Sequence, residues 1–208
     1  MKKLLLWVNA VLLAGASAVA SADEQPAPDV LISNTVSEVL DVVRKDKALR
    51  NGDKQKVLAL VEEKVLPHFD FNRMTQLAVG KNWRKATAEQ KQALVTEFRG
   101  MLVRTYTKAF TSYRDQNVEV KPFSMATGAT EATVKTLITK PGGQPIPVDY
   151  EMWKTNDGWK AYDLSVDGVS LVTSYRSTFN DQIQQAGIDG LIKMLSDKNL
   201  AAAKSSEK

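Results

Sequence analysis

The sequence predicts an α+β fold, with helices first, a four-stranded antiparallel meander next, and helices again at the C-terminal end. Three observations predict it. Apolar residues recur every three or four positions up to about residue 113, as in amphipathic helices. They alternate with polar residues from 117 to 166, as in half-buried strands, and the helical period returns after 169. A sheet with one apolar face needs helices against that face, so we expect a cavity between the two layers.

The first 22 residues have the three parts of a secretory signal peptide. Lys2 and Lys3 form a basic start, residues 4–14 are almost entirely apolar, and small residues precede an expected cleavage after Ala22. No later run reaches the roughly 20 apolar residues needed to cross a bilayer. We therefore predict an exported, soluble single domain over 23–208, with flexible ends at 23–28 and 201–208.

Three short helices are predicted before the longest one. Asp29 is placed to cap the first, and residues 51–53 separate it from the second, which ends before Pro67. Asp70 is placed to cap the third, and Gly80 to close it.

The stretch 83–113 predicts one long amphipathic helix. Thr87 and Gln90 have the spacing of a capping box, in which each side chain bonds the other's backbone N–H. From Ala88 to Tyr113 such a helix would be roughly 39 Å long at about 1.5 Å per residue. Its apolar stripe becomes aromatic toward the C-terminal end and comprises Leu94, Phe98, Met101, Leu102, Tyr106, Phe110 and Tyr113.

The alternating region divides into four strands at its turn signals. The strongest signal is Asn156-Asp157-Gly158, which is typical of a tight hairpin. Asp167-Gly168 is expected to end the sheet. A helix is then predicted over 169–185, interrupted by Gly187, with a last short helix to Leu195 and a frayed tail from Ala201. The predicted strands span 117–123, 131–140, 146–153 and 159–166.

The composition argues against several classes of function. The chain has no cysteine and one histidine, His68, so neither thiol catalysis nor a zinc site is predicted. Basic residues are scattered among acidic ones, unlike the clustered patch of a nucleic-acid-binding protein. Asp163 and Asp167 could form a carboxylate pair, but a role at a turn and a helix start fits their position better. We predict no enzyme, no metal and no cofactor.

An excess of aromatic and aliphatic faces remains, and it suggests a cavity for an apolar ligand. Tyrosine suits such a lining because its ring is apolar and its hydroxyl needs a polar partner. Cations near the stripes, Arg104, Arg114 and Arg176, could meet an anionic head group. The predicted lining residues are Leu102, Tyr106, Phe110, Tyr113, Val134, Ile138, Val148, Tyr150, Leu164, Val169, Val172, Tyr175 and Phe179.

Three segments carry a resemblance to a known family. They are VLPHFDFNRMTQLAVGKNWRKAT at 65–87, EQKQALVTEFRGMLVRTYTKAF at 89–110, and GWKAYDLSVDGVSLVTSYRSTFNDQIQQAGIDGLIKML at 158–195. In this order, behind a signal peptide, they resemble the MlaC family of periplasmic phospholipid-binding proteins, also described as toluene-tolerance components of an ABC transporter.

The resemblance implies a monomeric periplasmic carrier with phospholipid as its cargo. Its implied partners are an outer-membrane lipoprotein complex and an inner-membrane ABC transporter complex with an MCE-domain ring, and its implied role is to maintain outer-membrane lipid asymmetry. Neither nucleic-acid binding nor stable membrane insertion is expected. Two alternatives stay open on the residues alone: a periplasmic adaptor or chaperone that binds polypeptide, and an enzyme on a cone-shaped α+β fold of the nuclear-transport-factor type.

Overall fold

The computed structural model describes residues 25–111 and 116–206, with side chains described over 25–107 and 116–204. The predicted signal peptide, Tyr113 and Arg114 lie outside the described residues, as does the side chain of Phe110. The helices are α1 (Pro28–Lys45), α2 (Lys47–Arg50), α3 (Lys54–Lys64), α4 (Phe71–Val79), α5 (Ala88–Thr111) and α6 (Leu171–Ser206), with 3₁₀ turns at Leu66–His68 and Gly80–Lys85. The strands are β1 (Asn117–Val120), β2 (Glu131–Thr139), β3 (Ile146–Thr155), β4 (Gly158–Val166) and β5 (Val169–Ser170).

The start of α5 confirms the predicted capping box. The backbone N–H of Thr87 donates to Gln90 Oε1 over 3.1 Å, and that of Gln90 donates to Thr87 Oγ1 over 3.2 Å. Asp70 likewise caps α4 through the backbone N–H of Arg73, and Gly80 closes that helix. Local sequence suffices here because both partners of each bond lie within one helical turn.

The predicted cap of α1 is wrong. The helix begins at Pro28, a buried residue, and Ala27 occupies the N-cap position without a side-chain bond. Proline suits a first helical position because the N–H that it lacks would be unpaired there in any case. The short helix α2, capped by Asp46, was not predicted, because four residues are too few to show a period.

The sheet is an antiparallel meander, as predicted, but it has five strands in the order β1-β2-β3-β4-β5. The chain does not leave the sheet at Asp167-Gly168; it makes a tight turn there and pairs Val169 with Val166. Asp167 and Gly168 both have positive φ, 51° and 77°, which such hairpin turns require. The predicted helix over 169–185 therefore starts at Leu171 instead.

The last helix is longer than predicted. It kinks at Gly187, where φ is 73° and ψ is −177°, so the predicted interruption is confirmed. Helical structure then continues to Ser206, through the residues that were predicted to form a frayed tail. Asn199 explains part of this difference, because its buried side chain donates to the backbone oxygen of Glu97 in α5 over 2.9 Å.

Two clusters of buried apolar residues hold the layers together. The helical cluster joins α4, α5 and α6; its fully buried centre includes Leu94, Phe98, Phe179, Leu191 and Leu195. The sheet cluster lies between α1 and the apolar face of the sheet and consists of Ile32, Val134, Met152, Trp159 and Ala161. A separate group around Leu49, Val57, Leu60 and Val61 binds α2 and α3 to α1.

Candidate functional site

The two clusters meet at one cross-strand pair in the sheet. Tyr150 on β3 lies opposite Leu164 on β4. Tyr150 packs against the sheet cluster, whereas Leu164 packs against the helical cluster. Phe69 also packs against both clusters. We call this region, where the two cores approach each other, the apolar boundary.

The predicted lining residues divide between the two clusters. Leu102, Val172 and Phe179 are buried in the helical cluster, with Tyr175 packed against it. Val134 lies in the sheet cluster and is fully buried. The fold thus divides these residues between the helical layer and the sheet.

The apolar sheet face extends past Tyr150 toward the β1 edge. Val148 and Thr136 lie opposite each other and are 6% and 2% exposed. Ile138 continues the same face, opposite Ile146, and is half-buried. Thr136 Oγ1 donates to the Val148 carbonyl over 3.0 Å, so this hydroxyl is satisfied within the sheet. The surface of this face is accordingly apolar despite its threonine.

Burial raises the pKa of Tyr150, and a hydrogen bond with Thr136 partly offsets that rise. The phenol is therefore neutral at ordinary pH, with its polar tip held by a neighbouring strand. A tyrosine arranged in this way presents mainly its ring to an apolar partner.

Tyr106 and Tyr175 form the polar edge of the helical cluster. The Tyr175 ring packs on Phe98 with centroids 5.2 Å apart and on Phe179 at 5.6 Å. Burial, with further contributions from the neighbouring Tyr106, raises the pKa of Tyr175 to about 12. Tyr106 is 38% exposed, which places it at the surface end of this aromatic group.

Three of the predicted residues take other positions. Val169 lies in β5 with 64% of its surface exposed, outside the buried face that the others form. Arg176 donates from both Nε and one Nη to the carbonyl of Leu77, near the end of α4, so it caps that helix. Arg104 lies near Asn199, since a Cβ built on Gly100 would come within about 3 Å of both side chains.

The sequence reasoning missed the main attachment between α4 and the polar face of the sheet. The guanidinium of Arg73 lies between two rings, 4.4 Å from Trp153 and 4.0 Å from Tyr162. Trp153 Nε1 also donates to Asp70 over 3.1 Å. Tyr162 reaches this position because it is the extra residue of a β-bulge, unpaired between Ala161 and Asp163. One feature of the sequence could have indicated this attachment: Trp153 is a large aromatic residue on the polar side of an alternating strand.

Asp163 joins the last strand to α6. It accepts the backbone N–H groups of Leu164 and Val172 and the hydroxyl of Ser170. Ser170 in turn caps α6 through the N–H of Thr173. This arrangement agrees with the predicted role of Asp163 at a turn and helix start.

Three further observations concern metal binding, membrane spanning and the single histidine. In the part of the chain that the structure describes, no group of three or more His, Asp or Glu residues is placed to hold a metal ion. Within the same ranges, no helix has the length and apolar character needed to span a membrane. Burial and the nearby Lys160 lower the pKa of His68, which is therefore neutral at pH 7.

The fold and this site define an α+β protein in which an antiparallel sheet with one largely apolar face packs against helices. The sequence profile described as MlaC protein matches residues 33–197, and the chain belongs to that family.

Two curated relatives extend the comparison. The chain is 26% identical over 188 residues to the toluene tolerance protein ttg2D of Pseudomonas putida, covering 87% of each chain. It is 21% identical over 171 residues to the intermembrane phospholipid transport system binding protein MlaC of Haemophilus influenzae, covering 81% of this chain and 80% of the relative.

One solved structure has the same fold and bound lipid. The phospholipid-binding protein from Ralstonia solanacearum, in complex with a phospholipid, superposes with a TM-score of 0.79 at 36% identity. The match covers 86% of this chain and 99% of that one.

Proposed function

We propose that this protein is a periplasmic phospholipid carrier that holds acyl chains along the boundary between the helical and sheet clusters. One observation carries the proposal: a solved structure with the same fold and 36% identity contains a phospholipid. The apolar face through Val134, Val148, Tyr150 and Leu164 supports it, because acyl chains need an uninterrupted apolar surface.

The energetics favour a carrier that encloses the tails and leaves the head group outside. Removing each methylene from water is worth about 0.8 kcal/mol, so a lipid with roughly 30 methylenes would lose on the order of 20 kcal/mol on entering water bare. The head group needs only water or a cation. We therefore expect binding that depends on the tails and tolerates different head groups.

Export follows from the N-terminal sequence, and exchange with membranes requires partners. We propose cleavage after Ala22 and transfer of lipid between an outer-membrane lipoprotein complex and an inner-membrane MCE-domain ABC transporter complex. The large cost of exposing the tails supports the need for such complexes, because unassisted release into water would be slow.

Native mass spectrometry of the chain from residue 23, purified from periplasm without detergent, tests the proposal. We expect a stoichiometric adduct with the mass of a phospholipid, and lipid extraction should show several head groups. A bare protein mass that stays unchanged after incubation with phospholipid vesicles would contradict the proposal and favour the polypeptide-binding or enzymatic alternative.

A pair of tryptophan variants tests the location. Val148→Trp replaces a small buried side chain on the apolar face by a large one, whereas Lys135→Trp adds the same side chain to an exposed position on the opposite face. We expect the first to lower the bound lipid and the second to leave it unchanged, with circular dichroism confirming that both fold. Equal lipid content in two folded variants would place the acyl chains elsewhere.

A further inference from the structure

One groove is lined by residues other than those of the apolar boundary. It has a volume of about 660 Å³ and runs between the end of α4 and the first half of α6. Gly80 is part of its lining, and a Cβ built there would meet no heavy atom within 4 Å. The lining residues are Val79, Gly80, Lys81, Thr173, Arg176, Ser177 and Asn180.

The polar groups of this groove are mainly hydrogen-bond donors. Lys81 and Arg176 supply positive charge, Thr173 and Ser177 supply hydroxyls, and none of the lining residues is a carboxylate. Asn180 uses its oxygen to accept from the Asn82 amide over 3.4 Å, which leaves the Asn180 amide hydrogens available. The lining is mainly apolar, and its polar atoms are complementary to carboxylates.

The positive charge continues beside the groove. Arg84 follows Lys81 by three residues in a 3₁₀ turn, and residues at that spacing lie on the same side. Among the ion pairs of the described residues, none involves Lys81, Arg84 or Arg176. Arg176 donates to the Leu77 carbonyl, but a carbonyl does not neutralise its charge. The positive charge of all three side chains is therefore available to attract an external anion.

The shape of the groove indicates what kind of anion it fits. It is open to solvent along its rim, where Lys81, Thr173, Arg176 and Ser177 are all exposed. A small ligand requires a site that buries most of its surface, and a membrane is too flat to enter a recess between helices. A protruding polypeptide segment can enter a recess between helices and does not need to be enclosed on all sides. Helices and extended segments bind other grooves in this way.

We infer that the groove between α4 and α6 is a docking site for an acidic segment of a partner protein that exchanges lipid with this carrier. The inference rests on the proposed function, because a carrier that needs assisted loading and release must dock. Placing this site outside the apolar boundary would let a partner engage the carrier while the lipid stays enclosed.

Charge reversal in the groove tests the inference. The groove variant carries both Lys81→Glu and Arg84→Glu. The control variant carries both Lys154→Glu and Lys198→Glu, which change two exposed lysines outside the groove lining and outside the described ion pairs. The probes are the detergent-solubilised outer-membrane and inner-membrane complexes named above, and binding is measured by biolayer interferometry. We expect binding of the groove variant to at least one complex to weaken about ten-fold, with the control within about two-fold of the wild type. Wild-type binding should also weaken as salt is raised to about 0.5 M.

A fluorescent label tests whether the partner covers the groove. Because the chain has no cysteine, Ser177→Cys creates a single labelling site in the lining, and Ser124→Cys is an exposed control elsewhere. An environment-sensitive dye should change its emission at 177 and not at 124 when the complex binds.

Any of four results would overturn the inference. The wild type could fail to bind either complex, or both double variants could bind equally well. The dye could respond equally at 177 and 124, or the wild type and the control could bind phosphatidylglycerol vesicles while the groove variant does not. Native mass spectrometry separates this failure from that of the proposed function. The groove variant should retain its phospholipid adduct, and loss of the adduct would instead make the groove part of the lipid site. Absence of a phospholipid adduct from the wild type would contradict the carrier function. The comparison of binding by the groove and control variants tests the docking site.

Discussion

A substitution at Phe179 tests whether this side chain supports the fold or lines free space for lipid. It is 1% exposed, and its ring packs edge-on against Phe98 with centroids 5.0 Å apart. Replacing a fully buried phenylalanine by alanine costs about 3–5 kcal/mol, since apolar contact is lost and a cavity remains. For a chain of this length, Phe179→Ala should therefore lower Tm by roughly 6–20 °C.

Urea unfolding of lipid-free protein measures this cost, and an unchanged m-value shows that the two states keep their compactness. Phe179→Leu removes less volume than Phe179→Ala does and should therefore cost less. Thr178→Ala, at the exposed neighbouring position, should stay within about 0.5 kcal/mol of the wild type. A cost below about 1.5 kcal/mol for Phe179→Ala, together with loss of bound lipid, would refute the core assignment and make Phe179 a lining residue.

Three further perturbations test particular contacts. Arg73 also forms an ion pair with Glu131, whose side chain is 59% exposed. Arg73→Met removes this pair and the stacking between two rings and should cost about 1–2 kcal/mol in urea unfolding. Glu131→Gln removes only the ion pair and should cost less than about 1 kcal/mol; the reverse order of the two costs would show that charge dominates. Asp163→Ala removes the acceptor of three hydrogen bonds and should cost about 1–3 kcal/mol. Ser170→Ala removes one of those bonds together with the cap on the Thr173 N–H and should cost less; an equal cost would contradict the joining role of the carboxylate. The pKa of Tyr175 in the folded protein is raised from 10.0 to about 12, so the stability that its neutral form provides is present below pH 10 and is lost as pH rises to 12. Tyr175→Phe should flatten the stability profile between these pH values and remove one late-ionising phenol from an absorbance titration. An unchanged titration would be inconsistent with a buried Tyr175.

Local signals in the sequence predicted the elements whose causes are local. The capping box at Thr87 and Gln90 and the cap at Asp70 have both partners within one turn. The Asn156-Asp157-Gly158 turn was identified for the same reason, and β3 and β4 pair across it as predicted. By contrast, β5 has only two residues, too few for a period, and its strand character depends on pairing with β4.

The candidate site was predictable in its composition and less so in its arrangement. Periodicity identified Phe179 and Val134 as apolar residues that face inward, and both are buried. It could not show that they lie in different clusters, because that division depends on α1 packing against the sheet through Ile32. Arg176 appeared as a free cation near an apolar stripe, yet its partner is a carbonyl 99 residues away in the chain.

The sequence by itself determined the class of fold, the order of its elements and the resemblance to the MlaC family, because periodicity, caps and turns act over a few residues. Only the tertiary structure decided which apolar residues share a cluster, where the cations lie, and that Lys81 and Arg176 line one groove. The physical reason is distance along the chain. Contacts between residues about a hundred positions apart depend on how whole layers pack, and no local pattern records that packing.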